Sequence, residues 1–487
     1  MIENLFFRRC FSVNPFRTLS IPMGEMSFFK NWAEDKRGDP YPVLLSYGSI
    51  KESTGDGTYR ITSQKGGKIC RLTGGFFPWN TYDINIPVLR NGTFALLISD
   101  EKEEIRISIS GDGRITVISG ETVAAGKAAI KNGCSFSVTF RTDGLTVFDR
   151  TKKGQAAVIL DVTLPVLSEL RKECNFSKTT ASVYAELEEN GEIVISEVKV
   201  SVISGMSHAD LKPVRYEDGT VIIENGRIFL TASARDNENC FQTVLSWLPG
   251  TTDFRMEGAM FFDCGDGIWC SDVASSVIYD RTEQRWLIWM CAFSHGHRLA
   301  RAALENDPRF GISVIDVQLM EYGTGDRKAF EAITGDEDPD LILTDGKWHL
   351  AVCRPGENDG YHYAHFVSDE PLDGFTYVGQ TAEDEKTGGL FVRTEKNVEF
   401  VCGSDFHKRS VYDIYPLDDF GAEPRHIQCD HDDGGFRGWG TVMFLPYGTR
   451  YKYVWLTFDR HNCSDYNWSY GNIHVFETQT VRYNKKR

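Results

Sequence analysis

The sequence predicts an all-β protein, a β-sandwich followed by a five-bladed β-propeller. Three observations predict it. Short alternating segments run from about residue 42 to 205, a longer unit recurs five times after about residue 210, and the composition is rich in aromatics, with 10 Trp, 19 Tyr and 31 Phe. The 487 residues also exceed the size at which one core stops growing, roughly 250–300 residues. The expected division is an N-terminal extension over 1–41, a sandwich over 42–208 and a propeller over 209–487.

In the first half, Thr93 to Ile98, Glu104 to Ile109, Ser135 to Phe140, Leu145 to Phe148 and Glu192 to Ile195 alternate apolar and polar residues and are separated by turns such as Gly111-Asp112-Gly113. This is the period of half-buried antiparallel strands. One short helix is expected over Pro165 to Lys172.

The second half repeats a polar or acidic opening, an apolar strand, a Gly or Asp turn and an aromatic strand. The five copies begin at Glu217-Asp218-Gly219, Ser271-Asp272-Val273, Glu337-Asp338-Pro339-Asp340, Gly389-Leu390 and Gly440-Thr441, and the third has its turn at Thr344-Asp345-Gly346. Units of roughly 40–60 residues match one four-stranded blade each.

The formal charge of −16, with Lys and Arg scattered, opposes binding to phosphate backbones, so no nucleic-acid partner is expected. No stretch reaches the roughly 18 apolar residues of a membrane span. The 12 cysteines form no C-x-x-C pair, and several lie inside apolar strands, which favours buried thiols in a reducing compartment. Arg8 and Arg9 interrupt the only apolar patch at the start, against a secretory signal. A cytoplasmic location is expected, and the first 25 or so residues are given no structural role because Met23 and Met26 offer further starts. His295-Gly296-His297 and His362-Tyr363-Ala364-His365 lack the cysteines or carboxylates of a closed metal site, so loop and strand histidines are expected. No metal or cofactor is expected.

The repeat over about residues 210–480, with Asp338-Pro339-Asp340 at a blade opening, resembles the five-bladed propeller glycoside hydrolases of family 43 and the related family 32. The first half resembles, in pattern alone, the jelly-roll sandwiches of the concanavalin type found attached to glycosidases. The resemblance implies that blade openings converge at one mouth and supply carboxylates there. Glycoside cleavage needs such a set, one carboxylic acid to protonate the leaving oxygen and one carboxylate as base or nucleophile.

Carried over by position, Asp218 takes the place of the base or nucleophile, Asp338 that of the carboxylate that tunes the acid, and Asp272, after Trp269, that of a substrate-contacting Asp. The family's acid, a Glu followed closely by Pro before the fourth blade, has no match here. Glu385 is nearest in sequence, and Glu337 is the other candidate. Trp269, Arg437, Trp439, Arg460 and His461 are expected to contact sugar through aromatic faces and polar donors. The expected partner is a small oligosaccharide or glycoside, such as an arabinoside, fructoside or xyloside. A non-catalytic carbohydrate-binding propeller, a glycoside phosphorylase, a transglycosylase and a homo-oligomeric state stay open.

Overall fold

The computed structural model describes residues 2, 5–13, 18–22, 43–76, 80–100, 102–128, 133–140, 144–152, 156–167, 178–203, 207–235, 240–267, 269–270, 273–320, 333–356, 360–382, 386–404, 411–429, 436–445, 453–459 and 472–478. Two compact units result. One comprises Thr18–Ile203 with Gly267–Trp269, and the other comprises Met1–Arg17, Ser204–Asp266 and Cys270–Arg487.

The first unit is a β-sandwich of a six-stranded and a seven-stranded sheet. Strands such as Asn80–Ile86 and Cys134–Phe140 alternate as the sequence predicts, with Tyr82, Ile84, Ile86, Phe136, Val138 and Phe140 buried. The partner sheet contributes Phe94, Leu96 and Ile107, and Phe94 meets Phe136 edge-on at 6.2 Å. Asp56 and Gly57, both with positive φ, close the hairpin between Val43–Gly55 and Thr58–Gly75. Such a two-residue turn twists in the sense the strands require. Pro165 is in a turn, residues 166–167 are helical, and the rest of the expected helix, 168–172, lies outside the described residues.

The second unit is a ring of five sheets, a five-bladed propeller. Its inner strands are Ser207–Pro213, Val273–Asp280, Glu337–Thr344, Lys386–Arg393 and Phe436–Phe444, for blades 1 to 5. Each touches the next, and the fifth meets the first, so the ring closes. No helix among the described residues is long and apolar enough to cross a membrane.

The start of the chain has a structural role, contrary to the sequence reading. Phe6–Val13 is an outer strand of blade 5, antiparallel to Ile473–Thr478, so strands from near both ends of the chain complete one sheet. Phe7 anchors it, buried against Trp455 at 6.2 Å, while Phe6 is exposed. Thr18–Pro22 pairs with Glu197–Ile203 in the sandwich. Ser207, expected at the end of the sandwich, begins the inner strand of blade 1.

The inside of the ring is cross-linked by buried polar groups. Arg215 ion-pairs with Asp340 and also donates to the carbonyls of Phe391 and Leu341. Asp340 accepts further hydrogen bonds from Ser276 Oγ at 2.8 Å and the Phe391 amide at 2.7 Å. Lys212 Nζ donates to the Pro339 carbonyl at 2.7 Å. Breaking such a buried pair costs much, because removing one partner strands the other charge.

Candidate active site

The same irregularity recurs in every inner strand. The register to the second strand shifts between Ala209 and Lys212, Val273 and Ser276, Glu337 and Asp340, Thr387 and Leu390, and Arg437 and Gly440. In blades 1 to 4 the residue after the first of each pair is left-handed: Asp210 (φ 52°), Ala274 (φ 57°), Asp338 (φ 48°) and Gly388 (φ 61°). A bulge lifts such a residue out of the ladder and re-aims its side chain. Two of the four are aspartates, and a left-handed Asp is tolerated better than most residues.

Blades 1, 3 and 4 meet at this end of the channel. Asp338, 7 % exposed, accepts from Thr387 Oγ1 at 2.7 Å and from the Gly388 amide at 2.9 Å. Glu337 lies within electrostatic reach of both Asp338 and Asp210. Its Oε2 is 3.4 Å from His297 Nε2, and its side chain is about one-fifth exposed. Burial raises the pKa of Glu337 above the usual carboxylate range, the His297 contact opposes the rise, and the charges of Asp338 and Asp210 add to it. Beneath it, fully buried Asp336 pairs with Arg354, Oδ1 to Nε at 3.0 Å, and burial pushes its pKa up to about 6 in spite of that guanidinium. The arrangement offers one carboxyl that favours its proton, one carboxylate fixed by two donors, and a third acidic group, Asp210, nearby. This is the division of labour that acid–base chemistry on one ligand uses.

Asp218 is elsewhere, which corrects the sequence-based placement. Its neighbour Glu217 donates its amide to the Tyr279 carbonyl and accepts from the Leu343 amide, and the Asp218 carbonyl accepts from Arg393 Nε. Tyr279, Leu343 and Arg393 lie at the far ends of their inner strands. Five residues of extended chain separate Asp338 from Leu343, roughly 16 Å. Asp218 is a turn residue there, accepting from the Thr220 amide at 2.9 Å and pairing with Arg281 at 2.8 Å. Burial would raise its pKa, but the Thr220 amide and Arg281 outweigh it and hold the carboxyl below its usual range.

The inner strand of blade 4 opens with Lys386 and Thr387. Lys386 is buried and pairs with Asp413 at 2.8 Å, and Thr387 faces Asp338. Asp272, Glu385, Arg460 and His461 lie outside the described residues, and Trp269, Arg437 and Trp439 lie in strands whose side chains there are likewise outside them. Among the described residues, no group of three or more His, Cys, Asp or Glu side chains is arranged to hold a metal ion.

The sequence reading misses Asp210 and Asp336 and takes His297 for a loop or strand histidine. For Asp210 a signal existed, because Asn225-Gly226 and Asp345-Gly346 are the same turn, with positive φ at both residues. Asp338 stands seven residues before its turn and Asp210 fifteen before its own, the difference being the inserted segment that carries Glu217 and Asp218.

No protein-family model and no curated protein matches the chain. Solved structures of glycoside hydrolases are similar to it at low identity. One is the catalytic domain of the Coprinopsis cinerea GH62 α-L-arabinofuranosidase, 12% identical over 56% of this chain and 98% of that one, with a TM-score of 0.37. A family 117 glycoside hydrolase of Zobellia galactanivorans is 13% identical over 57% and 86%, with a TM-score of 0.40. A thermostable family-43 glycoside hydrolase is 13% identical over 56% and 89%, with a TM-score of 0.38.

Proposed function

We propose that the chain is a glycoside hydrolase that cleaves a small oligosaccharide at the propeller mouth, with a furanoside such as an arabinoside or fructoside, or a xyloside, as substrate class. The observation that supports this reading is the gathering of Asp210, Glu337 and Asp338 around the bulged ends of the inner strands. In this reading Glu337 gives its proton to the leaving glycosidic oxygen as the bond from that oxygen to the anomeric carbon breaks. Asp210 takes the role expected of Asp218, either accepting the proton of the water that attacks the anomeric carbon or attacking that carbon itself, the ester then being hydrolysed by water that gives its proton to Glu337. Asp338, fixed by Thr387 and Gly388, stabilises the positive charge that develops on the sugar ring.

A second reading, a non-catalytic carbohydrate-binding propeller, is favoured by one specific observation: the fourth inner strand opens with Lys386 and Thr387, and no Glu followed closely by Pro directly precedes it as in the resembling family. Hydrolysis of a panel of nitrophenyl furanosides and pyranosides, with unlabelled oligosaccharides, distinguishes the two. Turnover of one sugar that falls about 10³-fold in Asp210→Asn and in Glu337→Gln supports the enzyme. Binding of a sugar by calorimetry without turnover supports the second reading, and turnover that survives both substitutions rejects the proposed roles.

A further inference from the structure

The backbone at His297 is unusual. The strand Arg285–Ala292 of blade 2 ends in the short 3₁₀ turn Phe293–His295, after which Gly296 (φ 77°) and His297 (φ 53°) are both left-handed. Left-handed backbone costs a residue such as His free energy unless its surroundings hold it there. Three contacts do so. The His297 amide donates to the Phe293 carbonyl at 3.3 Å, its ring packs on Phe293 with centroids 4.5 Å apart, and its carbonyl accepts from the Gly335 amide at 3.0 Å. The last contact ties this turn of blade 2 to the segment leading into Glu337 of blade 3.

The imidazole is thereby carried across the blade boundary to the mouth. Nε2 is buried and lies 3.4 Å from the Glu337 carboxyl, and the Asp336 carboxyl, paired with Arg354, is also within electrostatic reach of the ring. That separation is just outside ordinary hydrogen-bond range, as acid–base pairs often are before a ligand seats. We infer that His297 is a positioning residue that holds the Glu337 carboxyl toward the mouth and couples its proton to the imidazole, a role that rests on the glycosidase reading of this site.

The other groups facing Glu337 are Asp338 and Asp210, with the Tyr361 phenol and the Cys353 thiol near enough to feel its charge. These are common to all variants below, so a change in the titration of Glu337 reports the imidazole. Contact with His297 favours the ionised carboxylate and offsets part of the rise caused by burial. Its loss therefore raises the pKa of Glu337 further. A general acid acts while protonated, so the alkaline limb of kcat/KM moves to higher pH when the imidazole is removed.

His297→Phe keeps a ring against Phe293 and removes both nitrogens. His297→Asn tolerates left-handed backbone and restores a polar side chain at the same turn. The expected result is an alkaline limb shifted upward by about one pH unit in His297→Phe, with partial return in His297→Asn. Carboxyl NMR of glutamate-labelled protein, with Glu337 assigned through Glu337→Gln, follows the same titration without substrate. An upward shift of the Glu337 signal in His297→Phe supports the positioning role even if no sugar is turned over, in which case the glycosidase reading alone fails. An unmoved Glu337 titration in folded His297→Phe overturns the role of His297 whatever the activity.

Discussion

Two acidic pairs, Glu217-Asp218 and Glu337-Asp338, sit at opposite ends of the same channel and behave differently. At the far end Arg281 grips Glu217 through Nε at 2.9 Å and Nη2 at 2.7 Å, reaches Asp218 as well, and lies over the Tyr216 ring at 4.6 Å. Both carboxylates there share a guanidinium that cannot lose its proton. At the mouth Glu337 faces an imidazole and two like charges, and its proton affinity rises. The residue types are nearly the same. What separates a structural latch from a reactive site is the partner that the neighbouring blade supplies.

The largest effect expected from this contrast is on turnover. Glu337→Gln should lower kcat/KM by about 10³-fold, and Asp218→Asn, the same change of charge at the other end, by less than about twofold. Steady-state kinetics on the sugar identified in the hydrolysis panel checks both. Equal losses would mean that the two ends act on one ligand, which the roughly 16 Å of strand between them opposes.

The next effect is on stability and concerns the buried layer between the ends. Asp340→Leu leaves the Arg215 guanidinium unpaired inside the ring and should cost about 3–5 kcal/mol, read as a lower urea midpoint. Adding Arg215→Met should recover much of that loss, because a neutral pair carries no stranded charge. A double variant that is as unstable as the sum of the singles would show that the pair matters through packing alone.

The sheets were legible in the sequence because strands buried on one face write a period of two, as in Cys134–Phe140, and because turns such as Asp345-Gly346 demand residues that tolerate positive φ. Blade 1 was misread for a physical reason. Its inner strand Ser207–Pro213 contains Lys212, which breaks the apolar pattern yet is 3 % exposed, its ammonium donating a hydrogen bond to the Pro339 carbonyl of another blade. The Glu217-Asp218 insertion then offered a more familiar opening. Phe6–Val13 is hard to read as a strand because Arg8 and Arg9 interrupt its apolar residues, and its place between Gln428–Cys429 and Ile473–Thr478 is set by pairing with segments more than 400 residues away. The approach of His297 to Glu337 joins two blades through backbone geometry, and no local pattern encodes it.

The smallest effect tests the far end directly. The Asp218 carboxyl titrates below its usual range, so the fold favours its charged form. That contribution is present above the unfolded pKa of about 3.9 and is lost as pH falls through the lower folded value. Asp218→Asn keeps an acceptor for the Thr220 amide and removes the charge facing Arg281. With the side chain 37% exposed, water and salt screen the pair, and the deficit at pH 7 should be at most about 1 kcal/mol. It should shrink at 0.5 M salt and close as the pH is taken below the lowered folded value. Thermal melts of the two proteins across that range give the answer. A gap that widens on acidification would mean that Asp218 gains affinity for its proton on folding, as Glu337 does, and the electrostatic distinction between the two ends of the channel would be lost.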